Sequence, residues 1–347
     1  MLNYNYFDNV PSISLINYRG IKMGLSDGAS STSTASTKPR YGVQHSEPLW
    51  WIKTRLLIVH AGALGALFLP FDWALFWIFL VSFTVRMWAV EAGYHRYFSH
   101  RAFKTSRIFQ IILAILACST GQRGVIWWAA YHRKHHQKSE QEDDPYGANR
   151  TFLYAHMGWY LDPNNLDTDL DQVPDFARFK ELRFLNQKYY LAVIGMALLM
   201  YVAGAMGWFG ENVNGLSSLV WGFFLPTALI LHTTSAINSV GHACMKLGGY
   251  RRFNTDDGSV NSFWLSLLTM GGGYHNNHHR YGAGARAGLA WWEIDPTYYI
   301  LRFLNLLGVV WDLRPVPQQV YVDAGIAPPN TGSVPSMELN DDNSLNQ

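Results

Sequence analysis

Residues 73–100 read WALFWIFLVSFTVRMWAVEAGYHRYFSH, and this stretch decides the fold. Its first part, up to Gly93, is apolar over about 20 residues, the length that a helix needs to cross the hydrocarbon core of a bilayer. It leads directly into His95 and His100, an H-x4-H pair. Neutral imidazole is the commonest protein ligand for first-row transition metals. The stretch therefore predicts a membrane-spanning helix that ends in a metal-binding segment.

Three more apolar stretches of similar length predict three more spans. The short connections within each pair of spans indicate two helical hairpins, and the long polar segments that remain predict a cap on one side. The predicted fold class is an all-α membrane protein with four transmembrane helices in two hairpins and a cytosolic helical cap that holds a di-metal site. The predicted spans are residues 52–71, 73–93, 189–208 and 216–236.

Two other apolar runs are not predicted to cross the membrane. Run 108–121 lies between two histidine clusters, which could not share a site from opposite sides of a bilayer. Only 31 residues separate His100 from His132, too few for two crossings at roughly 20 residues each. We expect this run to lie along the interface or to pack inside the protein. Charged residues and a proline interrupt run 291–311, which is predicted to be an interfacial or capping helix.

The distribution of positive charge predicts the orientation. The connections at residues 70–72 and 209–215 contain no Lys or Arg, whereas the segment between the second and third spans is rich in both. The positive-inside rule then places both termini and all histidine clusters on the cytosolic side. The location would be the plasma or thylakoid membrane of a bacterium, or the endoplasmic reticulum of a eukaryote.

The ends of the chain differ in composition from the middle. Residues 1–48 include the low-complexity run SDGASSTSTAST and are predicted to be disordered, with either Met1 or Met23 as the true start. Residues 49–317 form the predicted membrane domain, and residues 318–347 form a loose, polar tail.

Two further histidine clusters, HRKHH at residues 132–136 and HNNHH at residues 275–279, share the spacing H-x2-HH. Eight clustered histidines are too many for one structural zinc, which takes about four ligands, and they suit two metals that share a site. A ligand set made only of nitrogen favours iron, with copper or zinc as alternatives. The acidic run EQEDD at residues 140–144 is interpreted as a solvated turn before Pro145.

Composition excludes several other functions. A net charge of +2 argues against nucleic acid as a partner. The two cysteines cannot hold an iron–sulfur cluster, which needs about four ligands, and no glycine-rich dinucleotide fingerprint follows a strand. Any redox chemistry must therefore draw its electrons from another protein.

Order, spacing and placement of the three boxes resemble the membrane fatty-acyl desaturase family, and most closely its Δ9 (stearoyl-CoA-type) branch. The resemblance covers about residues 50–317 and includes NSVGH at residues 238–242 and HMGW at residues 156–159. It implies an enzyme that uses two iron ions and O2 to introduce a cis double bond into a saturated acyl chain. The implied iron ligands are His95, His100, His132, His135, His136, His242, His275, His278 and His279, with Asn238 acting through a water.

The resemblance also implies a substrate tunnel along the second span. Phe79, Phe83 and Met87 would line it, with the two phenylalanines as stops for the methyl end of the chain. Helix packing or lipid contact is the alternative role for these two rings. Trp127 and Trp128 would form the wall of the tunnel near its bend, with packing in the protein core as the alternative role. His156 is expected to support the ligands without binding metal.

One departure from the resemblance concerns the carrier of the acyl chain. Animal acyl-CoA desaturases have Arg-Asp immediately before the second box, where this chain has Ala130 and Tyr131. Acyl-CoA, acyl chains on membrane lipids and acyl carrier protein therefore remain open as substrates. The chain shows no fused cytochrome b5 motif, so the expected donor is a separate protein, either ferredoxin or cytochrome b5 with its reductase.

Two alternative functions remain at this point. A membrane di-iron hydroxylase of acyl chains or alkanes shares a polyhistidine site, although its box spacing differs. A metal transporter would need histidines within the spans or on both faces of the membrane, and only His60 and His232 lie in the predicted spans. Those two and His45 have no partner in the sequence and are assigned structural roles. Bond position, chain length, oligomeric state and the pairing of each histidine with one iron are not determined by the sequence.

Overall fold

The computed structural model describes residues 40–147, 150–243 and 249–328. The described part of the chain is mostly helical. Its α-helices are α1 (Leu49–Leu64), α2 (Trp73–Ala89), α3 (Arg107–Cys118), α4 (Val125–Lys138), α5 (Pro174–Ala177), α6 (Lys180–Gln187), α7 (Tyr190–Ala205), α8 (Gly215–Leu219), α9 (Leu225–Ala243), α10 (Phe263–Leu268), α11 (His275–Arg280), α12 (Pro296–Leu306) and α13 (Gln318–Asp323).

Continuous helical segments extend three of these helices to a length that can cross a bilayer. They are Leu49–Phe68, Trp73–Ser99 and Gly215–His242. Only 11% of the most apolar window of the first is buried, so that its apolar side chains face outward, as contact with lipid requires. A fourth span results if α6 and α7, which meet at an angle of 73°, are counted together. The described residues thus have three or four candidate spans where the sequence predicts four.

Helix α3, which covers most of run 108–121, packs against the second span. Leu113 and Ala117 lie against Gly93, and the carbonyl of Ser119 accepts a hydrogen bond from the buried Arg86 at 2.6 Å. As α3 proceeds, its contacts therefore move backward along the second span, so the two are antiparallel. Ile108, on the opposite side of α3, is exposed. The face of α3 with Leu113 and Ala117 is therefore packed inside the protein, which was one of the two predicted placements, whereas the face with Ile108 is exposed.

Two short antiparallel pairs of strands tie distant segments to the helices. β1 (Val43–Gln44) pairs with β3 (Thr168–Asp169), and β2 (Lys104–Thr105) pairs with β4 (Val310–Trp311). No closed sheet occurs among the described residues. The sheet elements are too short to form a core of their own, and the buried core lies among the helices.

The predicted limits of the terminal segments need correction where the structure describes them. The sequence predicts disorder for residues 40–48, yet β1 is paired and the backbone N–H groups of residues 40–42 donate to Asp171. It predicts a loose tail for residues 318–323, yet they form α13, where Val320 and Tyr321 are buried. The predictions for residues 1–39 and 329–347 lie outside the described residues.

The start of α4 leaves no room for a side chain at Gly124. A Cβ there would overlap the Cα and carbonyl oxygen of Asn186, whose side chain accepts a hydrogen bond from the Trp127 N–H at 2.8 Å. We expect Gly124→Ala to displace α4, with a loss of roughly 1–3 kcal/mol in stability, the usual range for overpacking. A fall in the midpoint of thermal unfolding in detergent would show this effect.

Gly195 provides the matched control for that prediction. It lies in α7, where an added Cβ meets nothing within 4 Å. Gly195→Ala should leave the midpoint unchanged or raise it, because alanine favours the helix. Equal midpoints in the two variants would contradict the close packing inferred at Gly124.

Candidate metal centre

The nine histidines predicted to bind metal come together as two adjacent groups. Within each group one ring nitrogen per residue lies within 4.8 Å of all the others. The groups touch, because the ring centroids of His136 and His279 are 4.6 Å apart. The first group comprises His95, His100, His132, His136 and His278, and the second comprises His135, His242, His275 and His279.

Helical periodicity explains why each H-x2-HH box contributes to both groups. Residues four apart on an α-helix lie on one face, whereas a residue three positions along is turned to one side. In α4, His132 and His136 face the first group and His135 turns to the second. In α11 the roles are exchanged, because His278 alone joins the first group. The two boxes therefore interlock across both groups.

A change in helix type brings His95 and His100 together. The second span continues beyond α2 as a π-helical segment, Val90–Ser99, in which every residue is buried. The N–H of His100 donates to the carbonyl of His95 at 3.2 Å, the i→i+5 pattern of a π-helix. In an α-helix, residues five apart would diverge by about 140° at 3.6 residues per turn. The wider turn places both imidazoles in one group.

The Nε2 atoms of the first group form a close set. His278 Nε2 lies 2.9 Å from that of His95 and 2.8 Å from that of His136. His132 Nε2 lies 3.0 Å from that of His136 and 2.8 Å from that of His100. Five ring nitrogens thus point to one small volume, as the ligands of a metal ion do.

Carboxylates fix the rings from behind. In four histidines, Nδ1 contacts an Asp or Glu oxygen, which leaves Nε2 as the atom that faces the group. Such pairs set the tautomer and orientation of metal-binding histidines. The pairs are His95 with Glu91 (2.8 Å), His135 with Asp144 (2.9 Å), His242 with Glu140 (2.9 Å), and His279 with Asp257.

The interpretation of residues 140–144 as a solvated turn is therefore wrong for two of its acids. Asp144 is fully buried behind His135. Glu140 is partly buried behind His242 and also accepts the Gly258 N–H at 2.6 Å. Glu142 and Asp143 are exposed, as a solvated turn requires. The run lies in the turn that follows α4. Only the tertiary structure shows which of its acidic side chains face the histidines.

Burial lowers the pKa of several of these imidazoles and so favours their neutral form. Burial, assisted by neighbouring imidazoles, lowers the pKa of His132, His136, His275 and His278 well below the usual value of 6.5. Burial lowers the pKa of His279 to about 4. Burial alone would raise the pKa of Asp144, but its hydrogen bond from His135 lowers it. The result at His135 and Asp144 is a neutral ring beside an ionised carboxylate, the state in which Nδ1–H donates and Nε2 binds metal.

Unpartnered atoms in the second group test whether metal fits. His135 Nε2 and His279 Nε2 are buried and have no hydrogen-bond partner among the described residues. The Nε2 atoms of His242 and His275 face each other at 2.8 Å, although the Nδ1 of His242 already donates to Glu140. An unpaired buried nitrogen is costly, and His275 Nδ1 is also buried without a partner among the described residues. A cation bound by the Nε2 atoms removes this cost at His135 and His279, so the residues fit a metal ion.

Comparison with known proteins agrees with this geometry. The family model described as fatty acid desaturase matches residues 71–309. This chain belongs to the fatty acid desaturase family. The match includes all nine histidines of the two groups.

Individual relatives cover most of the desaturase. An sn-2 palmitoyl-lipid 9-desaturase from Nostoc sp. is 35% identical over 285 residues, which are 79% of this chain and 94% of the relative. Delta-9 acyl-lipid desaturase 2 of Arabidopsis thaliana is 33% identical, covering 74% of this chain and 80% of the relative. An acyl-CoA 5-desaturase of Anemone leveillei is 30% identical, covering 76% of this chain and 78% of the relative.

A cavity adjoins the histidines of this desaturase. Its lining includes His95, His132 and His275 from the two groups, and Asn238, the predicted water-mediated ligand. Trp127 and Trp128, the predicted wall residues, also line it. The Trp128 ring stacks on His132 with centroids 4.8 Å apart. The cavity therefore lies directly beside the imidazoles.

The three predicted tunnel residues of α2 are not among the lining of this cavity. Met87 is fully buried one turn below Val90, which does line it, and its sulfur lies 3.7 Å from the Thr233 hydroxyl of α9. Phe83 and Phe79 follow below, with ring centroids 5.9 Å apart. Met87 therefore packs between α2 and α9, below the cavity.

Three histidines outside the two groups contact one another. His156, the predicted supporting residue, lies 3.0 Å from His232, which lies 3.0 Å from His60. No sequence spacing connects them, because they belong to three distant segments. His45 is mostly exposed beside Asp167. His60 and His232, for which the sequence shows no partner, thus contact each other in the fold.

Sequence reasoning missed the carboxylates behind the ligands. The sequence contains a signal for one of these carboxylates, because Glu91 precedes His95 by four residues and so lies on the same face of the helix. Asp257 had none, since it is 22 positions from His279. Only tertiary structure identifies such a partner.

Proposed function

We propose that this chain is an integral-membrane acyl-lipid Δ9 desaturase in which each histidine group holds one iron ion. The observation that carries the proposal is the division of nine buried or half-buried histidines into two touching groups beside a cavity. Two nitrogen-rich sites with few protein ligands each suit iron that must also bind substrate oxygen. The irons would be held by the five and the four histidines, with Asn238 completing the second site through a water.

When bound, reduced iron supplies the oxidising power, with O2 as co-substrate, that acid–base side chains cannot provide for an unactivated alkyl chain. The residues of this chain would position the imidazoles and the acyl chain. Carboxylates hold the imidazoles in position, and the Trp128 ring covers one face of His132. The indole N–H of Trp127 donates to the Asn165 carbonyl at 2.9 Å, so that this ring forms a fixed wall of the cavity. These walls would align the acyl chain beside the histidines and exclude water.

The residues before the second box support a lipid as carrier. Tyr131 occupies one of the two positions where acyl-CoA desaturases of animals have a charged pair, and its hydroxyl donates to the Asp167 carbonyl at 3.0 Å. Ala130 is buried. Neither side chain offers a charge for the phosphates of CoA. Two of the relatives described above are named for acyl-lipid substrates and one for acyl-CoA.

Product analysis tests this function. The full chain is expressed in a desaturase-deficient host, and the fatty acids of each lipid class are profiled by gas chromatography and mass spectrometry. We expect a cis-9 monoene esterified in membrane lipids, formed before any change in the acyl-CoA pool. Hydroxylated chains would favour the hydroxylase, and monoenes that arise first in acyl-CoA would contradict the lipid carrier.

The proposed topology has four spans with both termini and the metal centre in the cytosol, and residues 49–317 as the membrane domain. The two short connections lie together, because Asn212 donates to Asp72 at 3.2 Å, as two hairpins with the same orientation require. Electrons would come from ferredoxin or from cytochrome b5 with its reductase, docking from the cytosolic side.

Cysteine labelling checks this topology. Asn212→Cys should react with a membrane-impermeant reagent only from the non-cytosolic side, whereas the exposed Glu142→Cys and Asn254→Cys should react only from the cytosol. The unsubstituted chain gives the background of Cys118 and Cys244. Labelling of Glu142→Cys and Asn254→Cys from opposite sides would contradict a shared cytosolic centre.

The proposed tunnel continues from the cavity along α2 toward Met87, Phe83 and Phe79. Truncating Met87 or Phe83 to Ala should open space below Val90 and shift preference toward longer acyl chains. Each buried methylene is worth about 0.8 kcal/mol, so the preference should change roughly fourfold per methylene. The position of the double bond, counted from the carboxyl end of the acyl chain, should not change, because the histidines do not move.

Trp77→Ala is the matched control for the tunnel, since Trp77 lies on the same helix but is 58% exposed. Chain-length profiles are measured at equal expression, because cavities also reduce stability. Identical profiles for all of these variants would mean that the tunnel ends elsewhere.

A further inference from the structure

Outside the metal centre, three imidazoles form a hydrogen-bonded line. His60 of α1 contacts His232 of α9 through their Nε2 atoms at 3.0 Å, and His232 Nδ1 contacts His156 Nε2 at 3.0 Å. At one end, His60 Nδ1 lies 2.7 Å from the Leu56 carbonyl. At the other, His156 Nδ1 lies 2.9 Å from the Ser239 hydroxyl. We call these three residues the histidine line.

The arrangement differs from a metal site. His232 directs its two ring nitrogens to two different neighbours, so the three rings have no common point. No carboxylate hydrogen-bonds to any of the rings within the described ranges, and the ring nitrogens of His232 contact His60 and His156. The line is therefore a single electrostatic unit of three imidazoles without a counter-ion.

Counting protons shows what this unit stores. The line contains five contacts, because Ser239 also donates to the Ser235 carbonyl at 3.1 Å. Each contact needs one proton between its two atoms. Three neutral rings and one hydroxyl supply one proton fewer than the contacts require, since each neutral imidazole carries a single N–H. One added proton, shared along the line, completes all five contacts.

The direction of the bonds follows from the two ends. The Leu56 carbonyl can only accept, so His60 Nδ1 must donate. With one added proton, His156 Nδ1 also donates, to Ser239, whose own proton then reaches Ser235. Loss of that proton toward Ser239 leaves a neutral line in which each remaining ring proton points toward Leu56. The line can thus take up and release one proton at its His156 end by shifts within its hydrogen bonds.

The His156 end adjoins the metal centre. Ser239 is fully buried, follows Asn238 on α9 and lies one turn before His242. His156 lies on the π-helical segment Tyr154–Gly158 and is half-buried, with its ring stacked on the exposed Phe152. Ser235, the residue that accepts from Ser239, lines the cavity beside the histidine groups. The line therefore connects a partly exposed ring with the wall of the reaction cavity.

We propose that the histidine line is a proton relay that stores one proton and releases it through the Ser239 hydroxyl to a water molecule in the cavity, whose wall Ser235 and Asn238 form. This inference rests on the proposed function, in which –CH2–CH2– + O2 + 2 e⁻ + 2 H⁺ gives –CH=CH– + 2 H2O. The external donor protein supplies the electrons. The protons must reach a centre buried among neutral imidazoles, and the line supplies a route made of protein groups. Ionisable residues within membrane spans are candidates for a functional role by default, and His60 and His232 lie in two of the candidate spans.

Proton storage is tested without turnover. Solid-state NMR of the ¹⁵N-histidine-labelled full chain in lipid bilayers reports the protonation of each ring as pH is lowered. We expect one proton to be taken up jointly by three rings, and His232→Gln to abolish that joint uptake. Glutamine retains a hydrogen-bonding side chain but cannot carry the proton. Three independent titrations, or an unchanged titration in His232→Gln, would overturn the proposal.

Delivery is tested in turnover with the same variant. His232→Gln should slow desaturation and enlarge the solvent deuterium isotope effect, and His232→Gly should regain rate when free imidazole is added. His45→Gln, at an exposed ring outside the line, should match the unsubstituted chain in both measurements. An unchanged isotope effect together with no response to imidazole would contradict proton delivery and would mean that the histidine line has only a structural role. Failure of the unsubstituted chain to desaturate would instead refute the proposed function and leave the NMR result standing.

Discussion

The His136→Ala and His279→Ala variants are expected to lose desaturation completely, and each is expected to lose a different iron ion. His136 belongs to the group of five nitrogens and His279 to the group of four. Removing one ligand opens that group while the other retains all its nitrogens. The loss should exceed the roughly 10- to 100-fold effect that is typical when an outer partner of a ligand is removed.

Metal content measured by mass spectrometry on purified protein, with product analysis on the same samples, checks this result. The unsubstituted chain should contain close to two iron ions, and each variant close to one. His45→Ala is the control, because its ring is exposed beside Asp167 and lies outside both groups. Thermal unfolding in detergent establishes that the variants retain the membrane fold. Full activity in either variant, or a single metal ion in the unsubstituted chain, would contradict two histidine-held irons.

Asp257→Asn is expected to reduce iron affinity or desaturation by roughly 10- to 100-fold without removing any ligand. Asparagine can still accept the hydrogen bond from His279 Nδ1, but it carries no negative charge. Burial alone would raise the pKa of Asp257, but hydrogen bonds from His279, Ser259 and Thr255 hold it far below its usual range. The carboxylate is therefore ionised, and its charge makes Nε2 of His279 a stronger ligand.

Asp144→Asn should have an effect of the same size through His135, and its neighbour supplies a close control. Asp143 is exposed, so that Asp143→Asn changes the same charge one position away without touching a ligand. Iron affinity is measured by titration with a competing chelator, alongside the rate of desaturation. Equal affinities in Asp143→Asn and Asp144→Asn would mean that charge behind His135 has no influence on the metal.

Much of the fold could be predicted from local patterns. Hydropathy identifies three spans that the structure also contains and a fourth that depends on the bent pair α6 and α7. Hydropathy does not predict the bend, because it reports the length of an apolar run and not the direction of its axis. The sequence predicts disorder as far as residue 48, but residues 43–44 form β1, because they pair with β3, more than a hundred residues away.

The sequence by itself determined that the histidines of the second and third boxes lie on neighbouring faces of their helices, because they are three and four residues apart. It indicated His242 only through the family resemblance, and the approach of His100 to His95 depends on the π-helical turn. The sequence could not divide the nine histidines between two groups. That division depends on how α4 and α11 are rotated toward each other, which is decided by packing.

Tertiary structure alone decided which polar residues serve these imidazoles. Asp257, Glu140 and Asp144 approach their histidines through folded loops, and His60, His232 and His156 meet from three separate segments. Local sequence encodes contacts within a few turns of helix, because covalent spacing fixes those distances. Contacts between distant segments depend on burying every polar group with a partner, a condition that the whole chain satisfies at once.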